Sequence, residues 1–161
     1  MSILITAASH AEAYKIEKLL NAPEVILADY QDLPGFTIPG KKFISIPAGN
    51  SPSYAHIILS ICLDYGINTV YPLYQAELKP LAESKKLFAE YGISIIVPSL
   101  QWLEDHPKSD VVSFSDLAIL ENGELKAGVL PTGITWPEAM KTGIFGWIAD
   151  NNNINFTLFT I

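Results

Sequence analysis

Two stretches of this chain echo one another, and the echo restricts the fold more than any other feature. "YGINTVYP" runs from Tyr65 to Pro72 and "YGISIIVP" from Tyr91 to Pro98, so the second begins 26 residues after the first (91 against 65). Each has a glycine that stops a helix, an isoleucine, a strand and a closing proline. Successive helix-to-strand units belong to a parallel sheet, because parallel neighbours need a crossover connection.

The preceding segments extend the pattern. Ser2 to Ala7 is a largely apolar run, as expected of a strand covered on both faces. Ser9 stands three residues before Glu12, the spacing of a capping box, and Ile16, Leu19 and Leu20 form the stripe of a helix that Asn21 and Pro23 stop. Strands are predicted from Glu24 to Ala28 and from Lys42 to Ile46, around the turn-rich "DYQDLPGFTIPG". A helix with Ile57, Ile58, Ile61, Cys62 and Tyr65 on one face closes at Gly66, and another is predicted to begin at Pro80. Residues 1–98 thus read as an α/β, three-layer, Rossmann-like fold with five parallel strands in the order 3-2-1-4-5 and right-handed crossovers.

The tail has another character. "SLQWLEDHPKSD", residues 99–110, begins as a helical turn and dissolves into a polar linker. Asn122-Gly123 between two β-like runs predicts a tight hairpin. Thr135 and Glu138 suggest a second capping box, opening a helix over about 136–149 in spite of Gly143 and Gly146, with a closing strand at about 154–161. The expected division is an α/β domain over 1–100 and an extension over 101–161 packed on the same domain. The aromatic residues of this extension, Trp136, Phe145, Trp147, Phe156 and Phe159, suit either a partner surface or the extension's own packing.

Composition narrows the partners. The net charge is −7, with ten lysines and no arginine, which disfavours nucleic acid and polyphosphate as ligands of the chain alone. A single cysteine, Cys62, allows no internal disulfide, and the Cys/His spacing of a structural zinc is missing. The start lacks a signal-peptide pattern and no apolar run reaches the roughly 20 residues of a membrane span, so a cytoplasmic protein is expected. His10, His56 and His106 have no serine or cysteine elbow beside them, so no nucleophilic triad is expected and no catalytic residue is assigned.

The stretches "ILIT", "ILADYQD" and "KKFISIPAGNSPSYAHIILSICLDYGINTVYPLYQAELKPLAESKKLFAEYGISIIVPS" together resemble the pre-ATP-grasp domain. That domain is the N-terminal Rossmann-like unit of ATP-grasp ligases of the carbamoyl-phosphate-synthase large-subunit type. Family members follow the fourth strand with an acidic "D-x-E-L" segment; here Glu77 and Leu78 match, while Gln75 replaces the usual acid. The family's glycine-containing first turn is replaced by Ala7, Ala8, Ser9 and His10. The resemblance implies an accessory or substrate-binding unit of an ATP-dependent carboxylate-amine or carboxylate-thiol ligase. ATP and magnesium would then be held by a separate ATP-grasp domain, and no cofactor by this chain.

In an open parallel sheet the ligand crevice lies beyond the carboxyl ends of the strands, where strand order reverses. Between the first and fourth strands this brings together Ser9 and His10 on one side, Tyr74, Gln75 and Glu77 on the other, and Asn50 and Asp29 nearby. Ser9 and His10 suit an anion at a helix start, or Ser9 is simply a cap. Asp29 stands where dinucleotide folds hold a ribose hydroxyl, or begins a turn. Glu77 caps its helix or contacts a substrate amine. Two functional readings stay open: a module acting with an ATP-grasp protein or with a second copy of itself, and a stand-alone metabolite- or nucleotide-binding protein or small enzyme. A third possibility is a crevice filled by the tail.

Overall fold

The computed structural model describes residues 1–33, 35, 38–106 and 115–161. It divides into two compact units, Met1–Ile95 together with Ile161, and Ile96–Thr160.

The first unit is built on five parallel strands: β1 (Ser2–Ile5), β2 (Glu24–Asp29), β3 (Lys42–Ser45), β4 (Ile67–Tyr71) and β5 (Ser94–Ile95). Their order is β3-β2-β1-β4-β5, the one expected. The central strands carry the core, with Leu4, Ile5, Leu27 and Val70 fully buried, and this explains their unbroken apolar runs. Helices α1 (Ala11–Leu20), α2 (Tyr54–Tyr65) and α3 (Gln75–Glu90) connect them; α2 and α3 pack on each other, and α1 lies on β1. Asn21 (φ 46°) and Gly66 (φ 63°) end α1 and α2 in the left-handed conformation, which asparagine and glycine tolerate best.

Two helix starts differ from expectation. Ser9 does not cap α1: the N-cap is His10, and the Ser9 hydroxyl instead donates to the Asp29 carboxylate at 2.7 Å. A charged acceptor across the sheet outcompetes the local backbone for this serine. Helix α3 begins at Gln75, five residues ahead of Pro80, which sits inside it as the sixth helical residue. That position frees only the Ala76 carbonyl, and the start is held by the Glu77 carboxylate, which accepts the Tyr74 N–H at 3.3 Å.

The second unit is a four-stranded antiparallel sheet of order β7-β6-β8-β9, preceded by the short helix α4 (Leu100–Asp105). Its strands are β6 (Asp116–Glu121), β7 (Glu124–Gly128), β8 (Gly143–Asp150) and β9 (Asn153–Leu158). Asn122 (φ 50°) and Gly123 (φ 84°) form the predicted hairpin turn, and Asn151 and Asn152 (φ 34° and 84°) form a second one. The helix expected over 136–149 is not there: a single 3-10 turn at Glu138–Met140 gives way to β8. Gly143 and Gly146 weaken a helix, whereas Ile144, Phe145, Trp147 and Ile148 suit a pleated, half-buried surface. The aromatic residues go mainly to internal packing. Phe145 is fully buried, with Trp102, Trp136 and Phe156 against the Leu120–Met140–Phe145 core. The end of the predicted linker, residues 107–110, lies outside the described residues. Among the described residues no helix is long and apolar enough to cross a membrane.

Candidate functional site

Asp29 is the last residue of β2 and has no exposed surface. Its carboxylate accepts four donors: the Ser9 N–H (2.8 Å) and hydroxyl (2.7 Å), the Gln31 N–H (3.0 Å) and the Tyr74 hydroxyl (3.0 Å to Oδ1). Burial, the largest single influence, pushes this carboxyl up, yet the donors from Gln31, Ser9 and Tyr74 together outweigh it and hold it below its usual range. Three loops, those after β1, β2 and β4, are thereby tied to one anion. All four donors come from the protein, and together they fill the carboxylate's accepting directions, so Asp29 acts as a tie between loops.

Glu77 lies one turn into α3 and is equally inaccessible. Its Oε2 accepts the Thr6 hydroxyl at 2.6 Å and the Tyr74 N–H, while Thr6 Oγ1 in turn accepts the Leu73 N–H at 2.8 Å. Its Oε1 and the Tyr54 hydroxyl are both buried without a formed hydrogen bond; the phenol is near enough to favour the carboxylate but is not in bonding geometry. Burial dominates here. With Asp29's charge adding to it, burial outweighs the Thr6, Tyr54 and Tyr74 donors and pushes Glu77 up to about 7.

Around these two carboxylates the fold gathers an aromatic rim. The His10 and Tyr74 rings meet edge-on at 5.6 Å between centroids, as do Tyr30 and Tyr74 at 4.9 Å. Tyr30 is 46% exposed, and the Gln31 amide donates to the Tyr74 hydroxyl at 3.2 Å. The turn after β3 reaches across to α3: a Cβ at Gly49 would stand 2.6 Å from the Ala76 carbonyl carbon and from the Glu77 nitrogen. This sets the exposed Asn50 beside the start of α3. Gln75, the first residue of α3, gives its N–H to the Ile161 carbonyl oxygen at 3.2 Å.

Of the residues singled out from sequence, Ser9, Asp29, His10 and Tyr74 thus form one connected cluster. Glu77 joins it through the Tyr74 backbone, Gln75 follows directly, and Asn50 stands at its edge through Gly49. Sequence reasoning missed Thr6, Tyr30, Gln31 and Tyr54; Thr6 and Tyr30 carry no local signal, since each acts only through partners on other elements. Cys62, expected to be core, is buried, and burial pushes its thiol up to about 12. A separate depression of about 380 Å³ opens at the opposite, amino-terminal ends of β1 and β2, where Lys42 lies over the Tyr65 ring at 3.9 Å.

The strand-end residues lack the dinucleotide fingerprint. The β1–α1 turn has no glycine, and its one left-handed residue is Ala7 (φ 61°). The acid that would take a ribose is filled by protein donors. Among the described residues no group of three or more His, Cys, Asp or Glu could hold a metal ion.

The comparisons agree with the fold. A search of the curated proteins finds no match to this chain. The family model described as the PylC-like, N-terminal domain matches residues 3–96, more than half of the 161 residues and nearly the whole parallel sheet with its helices. That domain is of the pre-ATP-grasp type, the N-terminal domain of ATP-grasp-like ligases. By its strand order and this match, the chain belongs to the PylC-like N-terminal domain family.

Proposed function

We propose that this chain is a non-catalytic accessory or substrate-binding module related to ATP-grasp ligases, acting with a separate ATP-grasp protein or with a second copy of itself. The observation that carries this reading is the use of the two strand-end carboxylates. Asp29 and Glu77 are both buried and spent on holding loops, so they organise a rim of His10, Tyr30, Gln31 and Asn50 without themselves facing a ligand. A rim of this kind contributes a wall to a binding site. ATP and magnesium, in this reading, stay with the partner's ATP-grasp domain, in the cytoplasm. The charge of −7 with no arginine points away from nucleic acid. The test is affinity capture of the full chain from native extract, with its mass measured in solution. Recovery of an ATP-grasp protein or a stable homo-oligomer is expected; a monomer that captures neither defeats the reading.

One observation favours a second reading, a stand-alone binder of a small planar metabolite. Tyr30 presents nearly half its surface beside Tyr74, an aromatic ledge of the kind that ligand pockets use. Thermal-shift screening across nucleotides, amino acids and sugar acids tests it, and no shift with any of them ends it.

A further inference from the structure

We propose that the turn at Leu73–Gln75 is a slot for one residue in extended conformation, that Ile161 is its built-in occupant, and that a ligand entering beside Tyr74 must displace it. Ile161 donates its N–H to the Leu73 carbonyl at 2.7 Å and accepts the Gln75 N–H at 3.2 Å. This alternation, carbonyl of the residue before and N–H of the residue after, is the bond pattern of a parallel β-bridge centred on Tyr74. Of all residues beyond Ile95, Ile161 alone groups with the first unit.

The slot has its own chemistry. The Gln75 N–H is the first of a 16-residue helix, where the backbone ladder offers it no carbonyl, and Leu73 is fully buried. Neither group can be left without a partner at low cost, so the turn demands one acceptor and one donor at main-chain spacing. A residue in extended conformation supplies both, its N–H from one main-chain group and its carbonyl from the next, which is how sheet edges take up peptides. The position makes the slot relevant to binding. The residue bracketed by the two bonds is Tyr74, whose hydroxyl is tied to Asp29 and whose ring meets His10 and Tyr30. Two main-chain bonds are a hold that a competing extended residue can break. The proposal rests on the crevice being a binding site, as proposed above, but needs no ligase partner.

The experiment uses the full chain and the acetylated, amidated tripeptide Phe-Thr-Ile, the sequence of residues 159–161, as probe. Ile161→Pro removes the N–H given to Leu73, whereas Ile161→Ala keeps both bonds. Amide exchange by NMR is expected to be at least about tenfold faster at Gln75 in Ile161→Pro and unchanged in Ile161→Ala. The tripeptide is expected to bind Ile161→Pro at least about tenfold more tightly than wild type. A probe ending in proline, which lacks the N–H, should not bind. In wild type, excess tripeptide should speed exchange of the Ile161 amide itself, a measurement independent of how well the proline variant folds. Unchanged exchange at Gln75, equal or absent tripeptide binding in the two chains, an opened slot in Ile161→Ala, or an Ile161 amide indifferent to the probe each overturns the proposal. A failed search for an ATP-grasp partner leaves these measurements untouched, so the two readings can fail separately.

Discussion

Asp29 and Glu77 are both carboxylates at the strand ends of one sheet, both without exposed surface, and they are driven in opposite directions. Asp29 has four donors shared over both oxygens; Glu77 has two formed bonds, both on Oε2, with Oε1 unpaired. Burial acts on both to favour the neutral acid; at Asp29 the donors outweigh it, whereas at Glu77, which lies deeper and beside the charge of Asp29, they do not. The first residue is therefore a permanent anion around which loops are organised. The second changes charge near neutrality within the same cluster.

The largest effect is expected at the better-satisfied carboxylate. Asp29→Ala leaves the donors of Ser9, Gln31 and Tyr74 without their anion, and bonds to a charged group contribute most; water can serve Ser9 and Gln31 but not the buried Tyr74 hydroxyl. A loss of roughly 4 kcal/mol is expected in urea unfolding. Because Asp29 is depressed in the folded state, its contribution is present above the unfolded carboxylate range and fades as pH falls through the folded value. A loss below about 1 kcal/mol would mean that the loops are held by something other than this anion.

Glu77 should show the reverse slope. Its folded value of about 7 lies above the ordinary 4.5, so the folded protein binds the extra proton between the two. Stability is then greatest, for this group, below 4.5 and is lost as pH rises through 7, by roughly 3 kcal/mol when complete. Glu77→Gln keeps an acceptor for Thr6 and Tyr74 but cannot ionise, so its urea midpoint should stay level from about pH 5 to 8 and exceed wild type at the alkaline end. Parallel profiles for the two proteins would refute the assignment. Asp29→Asn sharpens the point, since removing its charge should bring the Glu77 transition down in pH.

What could be read in advance follows from where each signal resides. The parallel sheet was legible because helix stops at Asn21 and Gly66 and buried apolar runs are local, and local signals survive folding. The hairpin at Asn122-Gly123 was legible for the same reason. Ser9 misled because its spacing to Glu12 suits a cap, while its actual partner lies 20 residues on. Residues 143–150 misled because Ile144 and Ile148 fit both a helical period and a strand, and Gly143 and Gly146 decide for the strand. The site was half legible: topology placed Ser9, Asp29 and Tyr74 together, but Thr6 meets Glu77 from 71 residues away, with no pattern to announce it.

A third experiment probes why Glu77 is so poorly solvated. The turn carrying Gly49 closes over the start of α3, and a Cβ there would meet the Ala76 carbonyl carbon and the Glu77 nitrogen at 2.6 Å, backbone that cannot swing aside. Gly49→Ala should cost roughly 2 kcal/mol in thermal or urea unfolding. It should also let water reach the carboxylate, so the pH transition assigned to Glu77 moves toward the ordinary value. A destabilised protein with the transition unmoved would show that Gly49 seals the turn but not the acid.

The smallest effect is expected at the other side of Asp29, where two opposing terms nearly cancel. Ala7 opens the turn that delivers Ser9, and it holds φ 61° with no exposed surface. A left-handed alanine is strained by about 1 kcal/mol, which Ala7→Gly relieves. The same change removes a buried methyl, about 0.8 kcal/mol of transfer free energy, and adds freedom to the unfolded chain. The sum lies within about 0.5 kcal/mol of zero or slightly destabilising, so a glycine here gives no stability that alanine lacks. A gain above about 1 kcal/mol in urea unfolding would instead show that the Ala7 methyl packs poorly and that the strain is not offset. In that case the Ser9–Asp29 tie carries part of the cost of the turn, and Asp29→Ala should lose less stability in the Ala7→Gly background than in wild type.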